Sequence, residues 1–453
     1  MHGSIDPHVL LRNELAQRAE SGYDTRLVLD SLAERGGIEA IDERDADEML
    51  DELERAERGA RWSFVEPDDL AGIRAESEWP DEVVPVEVDS GYAQAVQRAW
   101  TGRVVGNMLG KPVEGWSRDA IHRLLQHRDA WPLTDYFPAP EDDDDLGEEY
   151  VACWQETTLG RIDGSSRDDD VDYTILNLHV LRSYGPEFGT EHVAATWLEL
   201  LPYLQTFTAE RAAIRNLVRG HAPEQAAIWR NPYREFIGAA IRADVFGYVC
   251  PGDCARAAEF AYRDAYLSHR GNGIYSEMWC AALVAAAFAA SDAGEALDRS
   301  LAVVPRRSRL YQAVADVRRW HGEGVSWEVT RDRIEQAWCG YSWVHAVNNA
   351  AVVAAGVLYG AGDFGRTITS TVVAGLDTDS NGGTAGSVGG ILAPSIADHW
   401  AAPLRDVVRS AVFGYDNSSL SSLAEKTVEA AIAVRAGDAT PTAPRGVVPR
   451  ALW

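Results

Sequence analysis

The sequence predicts an all-α protein, a compact bundle of many helices. Helix formers dominate its composition, above all Ala, Leu, Glu and Arg. No run of alternating apolar and polar residues marks a strand. The main body instead reads as apolar stretches of helical period separated by short turns rich in Gly, Pro and Asp. At 453 residues the chain is long enough to bury a large core, and its 46% apolar fraction is that of a globular protein.

Three regions follow in order. Residues 1–85 form a charged helical extension, with apolar residues at helical spacing in "LRNELAQRAE" and "DADEMLDELERAERGARW". Pro67, Pro80 and Pro85 then break the pattern. Residues 86–437 form the body, and residues 438–453, "DATPTAPRGVVPRALW", read as an extended tail without helical period. Inside the body, "PAPEDDDDLGEE" (138–149) reads as a solvated acidic loop.

The net charge of −28 disfavours nonspecific binding to nucleic acid or anionic membranes. The N-terminus carries no apolar signal core, and the longest apolar run, 278–290, is too short to cross a bilayer. Five scattered cysteines do not make a disulfide framework, and the C-x3-C at Cys250 and Cys254 lacks a second pair for zinc. The chain reads as a reduced, cytoplasmic protein.

Three stretches carry chemistry. In "AWTGRVVGNMLGKPVEGW" (99–116), Gly102, Gly106 and Gly110 recur at every fourth position, which permits close helix contact. Pro112 ends that helix, and Glu114 follows it. In "SSRDDDVDYTILNLHVL" (165–181), Asp168, Asp169, Asp170 and Asp172 crowd the start of an apolar helix. One Asp caps a helix well; further ones repel each other and ask for a positive partner. In "GLDTDSNGGTAGSVGGILAP" (375–394), Asp377, Asp379 and Ser380 open a small-residue helix. If the two acidic starts converge, five carboxylates and a hydroxyl share one space. Such a set is tolerable when cations hold it or when some acids stay protonated. All-oxygen donors suit Mg²⁺, Mn²⁺ or Ca²⁺, and a pair of such ions serves hydrolysis.

These three stretches, in this order, resemble the ADP-ribosylglycohydrolase family, the relatives of dinitrogenase reductase activating glycohydrolase. "GRVVGNMLGKPVE" is similar to the family's opening G-x-x-x-G-D-A-x-G helix and its Glu, with Asn107 where Asp is usual. "RDDDVDYT" is similar to its Thr/Ser-Asp-Asp motif, with Asp168 at the hydroxyl position, and to the D-D-D-I-N-Y-T of a bacterial branch with an N-terminal helical extension. Gly375, Asp377, Asp379 and Ser380 match its G-x-D-x-D-[ST].

The resemblance implies an all-α fold with a central cleft holding two Mg²⁺ ions, or Mn²⁺. The implied ligands are Asp168, Asp169, Asp170, Asp377, Asp379 and Ser380. Glu114, Asp169 and Asp377 are the implied catalytic carboxylates. The implied activity is hydrolysis of the bond between ADP-ribose and an acceptor on a protein, nucleic acid or small molecule, without a membrane partner; the alternatives are hydrolysis of another N-glycoside or nucleoside-like small molecule, and binding of ADP-ribose without catalysis.

Asn107 joins the substrate-binding candidates, as do residues between the motifs. "YLSHRGNGIYSEMW" offers His269, Asn272, Gly273 and Tyr275, where a Gly-Asn-Gly turn before a helix exposes N–H groups suited to a phosphate. "YSWVHAVNNAAVVAAG" places His345 and Asn348 or Asn349 on one face of an apolar helix. Arg234 and Arg242 suit either pyrophosphate or surface pairing, and Trp343 or Tyr275 could stack on an adenine.

Overall fold

A computed structural model describes residues 6–141, 149–151 and 153–443. Every regular element among them is helical, and β pairing is limited to isolated bridges such as Phe236 with His345. The acidic-loop expectation at 138–149 and the tail expectation at 438–453 lie largely outside the described residues. Of the tail, Thr442 donates its N–H to the Arg182 carbonyl at 2.8 Å.

Two helices form the spine. Ser90–Gly110 starts at Asp89, whose carboxylate caps the N–H groups of Gly91 and Tyr92. Thr378–Leu392 runs antiparallel against it. Their small residues meet in register: Gly102 faces Gly386, Gly106 faces Gly382, and Gly110 faces Thr378. A Cβ on Gly102 or Gly106 would collide with the opposite backbone carbonyl, so the two backbones touch only because both sides lack side chains. The antiparallel register has a functional consequence: the C-terminus of the first helix lands beside the N-terminus of the second. There the first chain tightens into a 3₁₀ turn at Lys111–Val113, where Pro112 cannot continue an α-helix.

The helix Asp169–Tyr184 joins this pair through Arg103, a fully buried side chain of the first helix. Its guanidinium donates to the Asp170 carbonyl (2.8 Å), the Ile241 carbonyl (2.6 Å) and Thr384 Oγ1 (3.0 Å). Its charge faces Asp170 and Asp244, each at 3.5 Å.

The N-terminal extension differs from a plain surface segment. Helices Pro7–Glu20, Arg26–Glu34 and Glu43–Glu54 enclose an apolar cluster of their own, including Leu11, Leu32, Met49, Leu50 and Leu53. The many charges around these residues hide a narrow apolar stripe at three- and four-residue spacing. The extension then docks on the body through polar groups. Glu14 pairs with Arg234 (2.8 Å), Ser21 bonds Glu235 (2.6 Å), and Glu66 pairs with Arg309 (2.8 Å).

Candidate active site

The spine places Lys111 and Glu114 from one helix end against Asp377 and Asp379 from the other. The loop before Asp168 is fixed to the same spine, because Ser166 donates its N–H to Met108 Sδ at 3.0 Å. Two loops lock together at the site's edge: the Gly115 N–H bonds the Leu376 carbonyl at 3.0 Å, and the Leu376 N–H bonds the Trp116 carbonyl at 3.2 Å. Leu376 holds a positive φ of 69°, an unusual conformation for a branched residue and one that tends to occur at functional sites.

The carboxylates of the two acidic starts converge. Asp168, Asp170 and Asp379 offer oxygens within 4.8 Å of one another, and so do Glu114, Asp377 and Asp379. Asp379 belongs to both sets. Asp168 caps its helix, accepting the Asp170 N–H at 3.1 Å. Asp377 sits at the equivalent N-cap position but makes no capping bond with its side chain, which leaves that carboxylate available. Asp169 is half-buried beside these sets, and Ser380 lies buried in the first turn after Asp379. Asp172 serves the fold: Arg167 pairs with it at 2.6 Å, and Ser410 and the Ala411 N–H bond its other oxygen.

Crowded acids in a buried space shift one another. Burial, then the neighbouring Asp379, pushes Glu114 up to about 7 against the pull of Lys111. Burial and Asp168 raise Asp169 and Asp170 well above the usual carboxylate range, and burial and Asp379 do the same to Asp377. Asp168 goes the other way. Although burial opposes it, the Lys111 ammonium and the Asp170 N–H hold Asp168 down to about 2. The Lys111 ammonium lies 2.7 Å from each of Glu114, Asp168 and Asp379. Asp379 Oδ1 is buried without a hydrogen-bond partner. An all-oxygen set with such an orphaned oxygen fits a hard divalent cation.

The remaining candidates divide. Asn349 touches the site: its Oδ1 accepts the Asp377 N–H (3.2 Å) and the Asn381 amide (2.6 Å). Asn348 bonds the Ser342 carbonyl instead, at 3.0 Å. Trp343 packs 3.6 Å from where a Cβ on Gly115 would stand, next to Glu114 in sequence. Asn107 is buried on the spine, and its amide nitrogen has no partner. His345 caps its helix through Nδ1, and its Nε2 faces Glu20 and Glu235 at 4.0 Å each.

The Gly-Asn-Gly turn is engaged by carboxylates of the chain itself. The Gly271 N–H donates to Asp68 at 2.7 Å and the Asn272 N–H to Glu235 at 3.0 Å. The Asn272 amide bonds Glu66 and Glu235, and Tyr275 donates to the Pro67 carbonyl. Gly273 fits against the Arg234 carbonyl, and no side chain would fit there. His269 bonds Ser268 and is buried near Glu210. Arg234 and Arg242 are not surface groups. Arg242 is fully buried among Glu210, Asp264 and Glu277, and Arg234 is held by Glu14.

Sequence reasoning missed Arg103 and Lys111 as site-building residues, and it did not separate Asn349 from Asn348. Lys111 had a signal, since an ammonium directly follows the glycine stripe and precedes Glu114. Arg103, inside an apolar helix, had none, because its partners lie on other elements.

In this all-helical bundle the acids gather where two helix ends meet. The ADP-ribosylglycohydrolase family model matches residues 89–437, and the chain belongs to that family, which makes it a glycosidase-type hydrolase. A protein of Archaeoglobus fulgidus described as uncharacterized is 25% identical over 308 residues, covering 67% of this chain and 90% of its own length. A solved structure titled "ADP-ribosylglycohydrolase-related protein complex" aligns with a TM-score of 0.46 at 15% identity. The alignment covers 76% of this chain and 99% of the other. No helix among the described residues is long and apolar enough to cross a membrane.

Proposed function

We propose that this chain is a metal-dependent hydrolase that cleaves the bond between C1″ of an ADP-ribosyl group and its acceptor. Family membership supports the general activity. The observation that carries the finer reading is the pair of carboxylate sets that share Asp379. Asp168, Asp169, Asp170, Asp377, Asp379 and Ser380 would hold divalent metal, Mg²⁺ or Mn²⁺, and offer donors enough for two ions. When bound, such ions lower the pKa of water and orient ribose hydroxyls.

The chain's own groups supply the rest. Glu114, with its carboxyl near neutrality, is suited to exchange a proton at its free oxygen. Water oxygen bonds to C1″, the C1″–acceptor bond breaks, and the acceptor atom leaves with its electron pair and takes up a proton. Asp377 and Asp169, beside the same cluster, are the further candidates for moving that proton. Asn349 and Arg103 act as positioning residues, one on the Asp377 backbone and one on Asp170.

We assign catalysis to residues 86–437, with 1–85 as a helical extension. We place the protein in the cytoplasm, where the free thiols of Cys153, Cys250, Cys254, Cys280 and Cys339 are at home. The substrate carries ADP-ribose on a protein, a nucleic acid or a small molecule.

The test is release of ADP-ribose from arginine-linked protein, serine-linked peptide and modified nucleic acid, with Mg²⁺, Mn²⁺ or EDTA. Release from one class that needs metal and is lost in Asp379→Ala, with helicity retained, is the expected result. Full activity of that variant under chelation overturns the proposal.

A further inference from the structure

We propose that Lys111 is a tethered cation that takes the place of one divalent ion, so that the protein loads one ion at a site whose carboxylates suffice for two. This inference rests on the metal-site reading above. Three observations carry it.

The first is position. The Lys111 ammonium bonds one oxygen from each acid set, Asp168 in one and Glu114 in the other, and also Asp379, which both sets share. That is the place between the two sets, and each contact is 2.7 Å. Asp379 gives Oδ2 to the lysine and keeps Oδ1 buried and unpartnered, one oxygen for the ammonium and one for a metal.

The second is residue choice. Of 42 basic residues only Lys111 and Lys426 are lysines, which leaves 40 arginines. A guanidinium is a wide planar fork, whereas an ammonium is a compact point charge with three donors. Three carboxylates converging on one point match the ammonium.

The third is tethering. Lys111 follows the glycine-packed spine directly and opens the 3₁₀ turn that contains Pro112. Its side chain is only 15% exposed, so the short turn holds the charge over the cluster.

The experiment is a Mn²⁺ titration of the full chain by calorimetry, with electron paramagnetic resonance at saturation. Wild type is expected to take one ion and show the hyperfine pattern of isolated Mn²⁺. Lys111→Met is expected to take one more ion and show an exchange-coupled pair. Lys111→Gln keeps an N–H donor without charge, is expected to behave like Lys111→Met, and decides the matter if the methionine variant does not fold. An equal ion count in wild type and variant overturns the lysine's role while leaving the metal-site reading standing. No Mn²⁺ uptake by any of the proteins overturns both.

Discussion

At the scale of single residues, the site depends on buried charges that balance one another. Arg103 shows how strictly. Its guanidinium is fully buried, bonds two carbonyls and a threonine, and faces Asp170 and Asp244. Burial pushes the Asp244 carboxyl up, and Arg103 pulls against that push. Removing one partner of a buried pair leaves the other uncompensated, at a cost of about 3–5 kcal/mol. Arg103→Met should therefore lower the unfolding free energy by about that much in denaturant titrations. Arg103→Met with Asp244→Asn should recover part of it. A single variant as stable as wild type would show that the aspartates do not depend on this arginine. Arg103 was invisible in the sequence because a lone Arg in an apolar helix names no partner. The aspartates were visible because three in a row make no sense as caps alone.

At the scale of elements, the spine makes the site. Gly102, Gly106 and Gly110 match Gly386, Gly382 and Thr378 in antiparallel register, which brings two helix ends together. Gly106→Ala would press a methyl group into the Gly382 carbonyl, a backbone atom that no rotamer change can move. Overpacking of this kind costs about 1–3 kcal/mol. The expected outcome is a lower denaturation midpoint together with weaker Mn²⁺ uptake, since the helix ends would part. Unchanged uptake at reduced stability would mean that the acid cluster is held independently of the spine. The four-residue glycine period was legible, as were the two acidic helix starts, because each is a local pattern. Their convergence was not, since it depends on which glycine face meets which. The extension's apolar cluster was equally hard to see. Met49, Leu50 and Leu53 sit among Asp45, Asp47, Glu48 and Asp51, and those acids dominate any local reading.

At the scale of the whole molecule, the extension and the body are joined by buried ionisable groups, and this sets how stability follows pH. Burial holds His345 down to about 3 from an ordinary 6.5, against the pull of Glu235. A depressed histidine contributes stability that is complete above pH 6.5 and lost as pH falls towards 3. Burial, helped by Glu235, pushes Glu20 up to about 7 from 4.5. A raised carboxyl works in the opposite sense: its contribution is complete below pH 4.5 and lost as pH rises to about 7. Between 4.5 and 6.5 the two slopes oppose each other. Below 4.5 Glu20 no longer contributes a slope, while Glu14 and Glu235 begin to. Although burial opposes it, Arg234 lowers Glu14 and Arg309 lowers Glu235, so both lose stability as they take up protons. His345, Glu14 and Glu235 then act in the same direction at one junction. The melting temperature, followed by circular dichroism from about pH 3 to 8, should fall as pH drops below 4.5, where these three groups act together. His345→Gln removes one of these contributions and should make the acid limb shallower. A melting temperature that holds or rises between pH 4.5 and 3 would mean that this junction does not govern the stability of the whole. The extension would then be a passenger on the body.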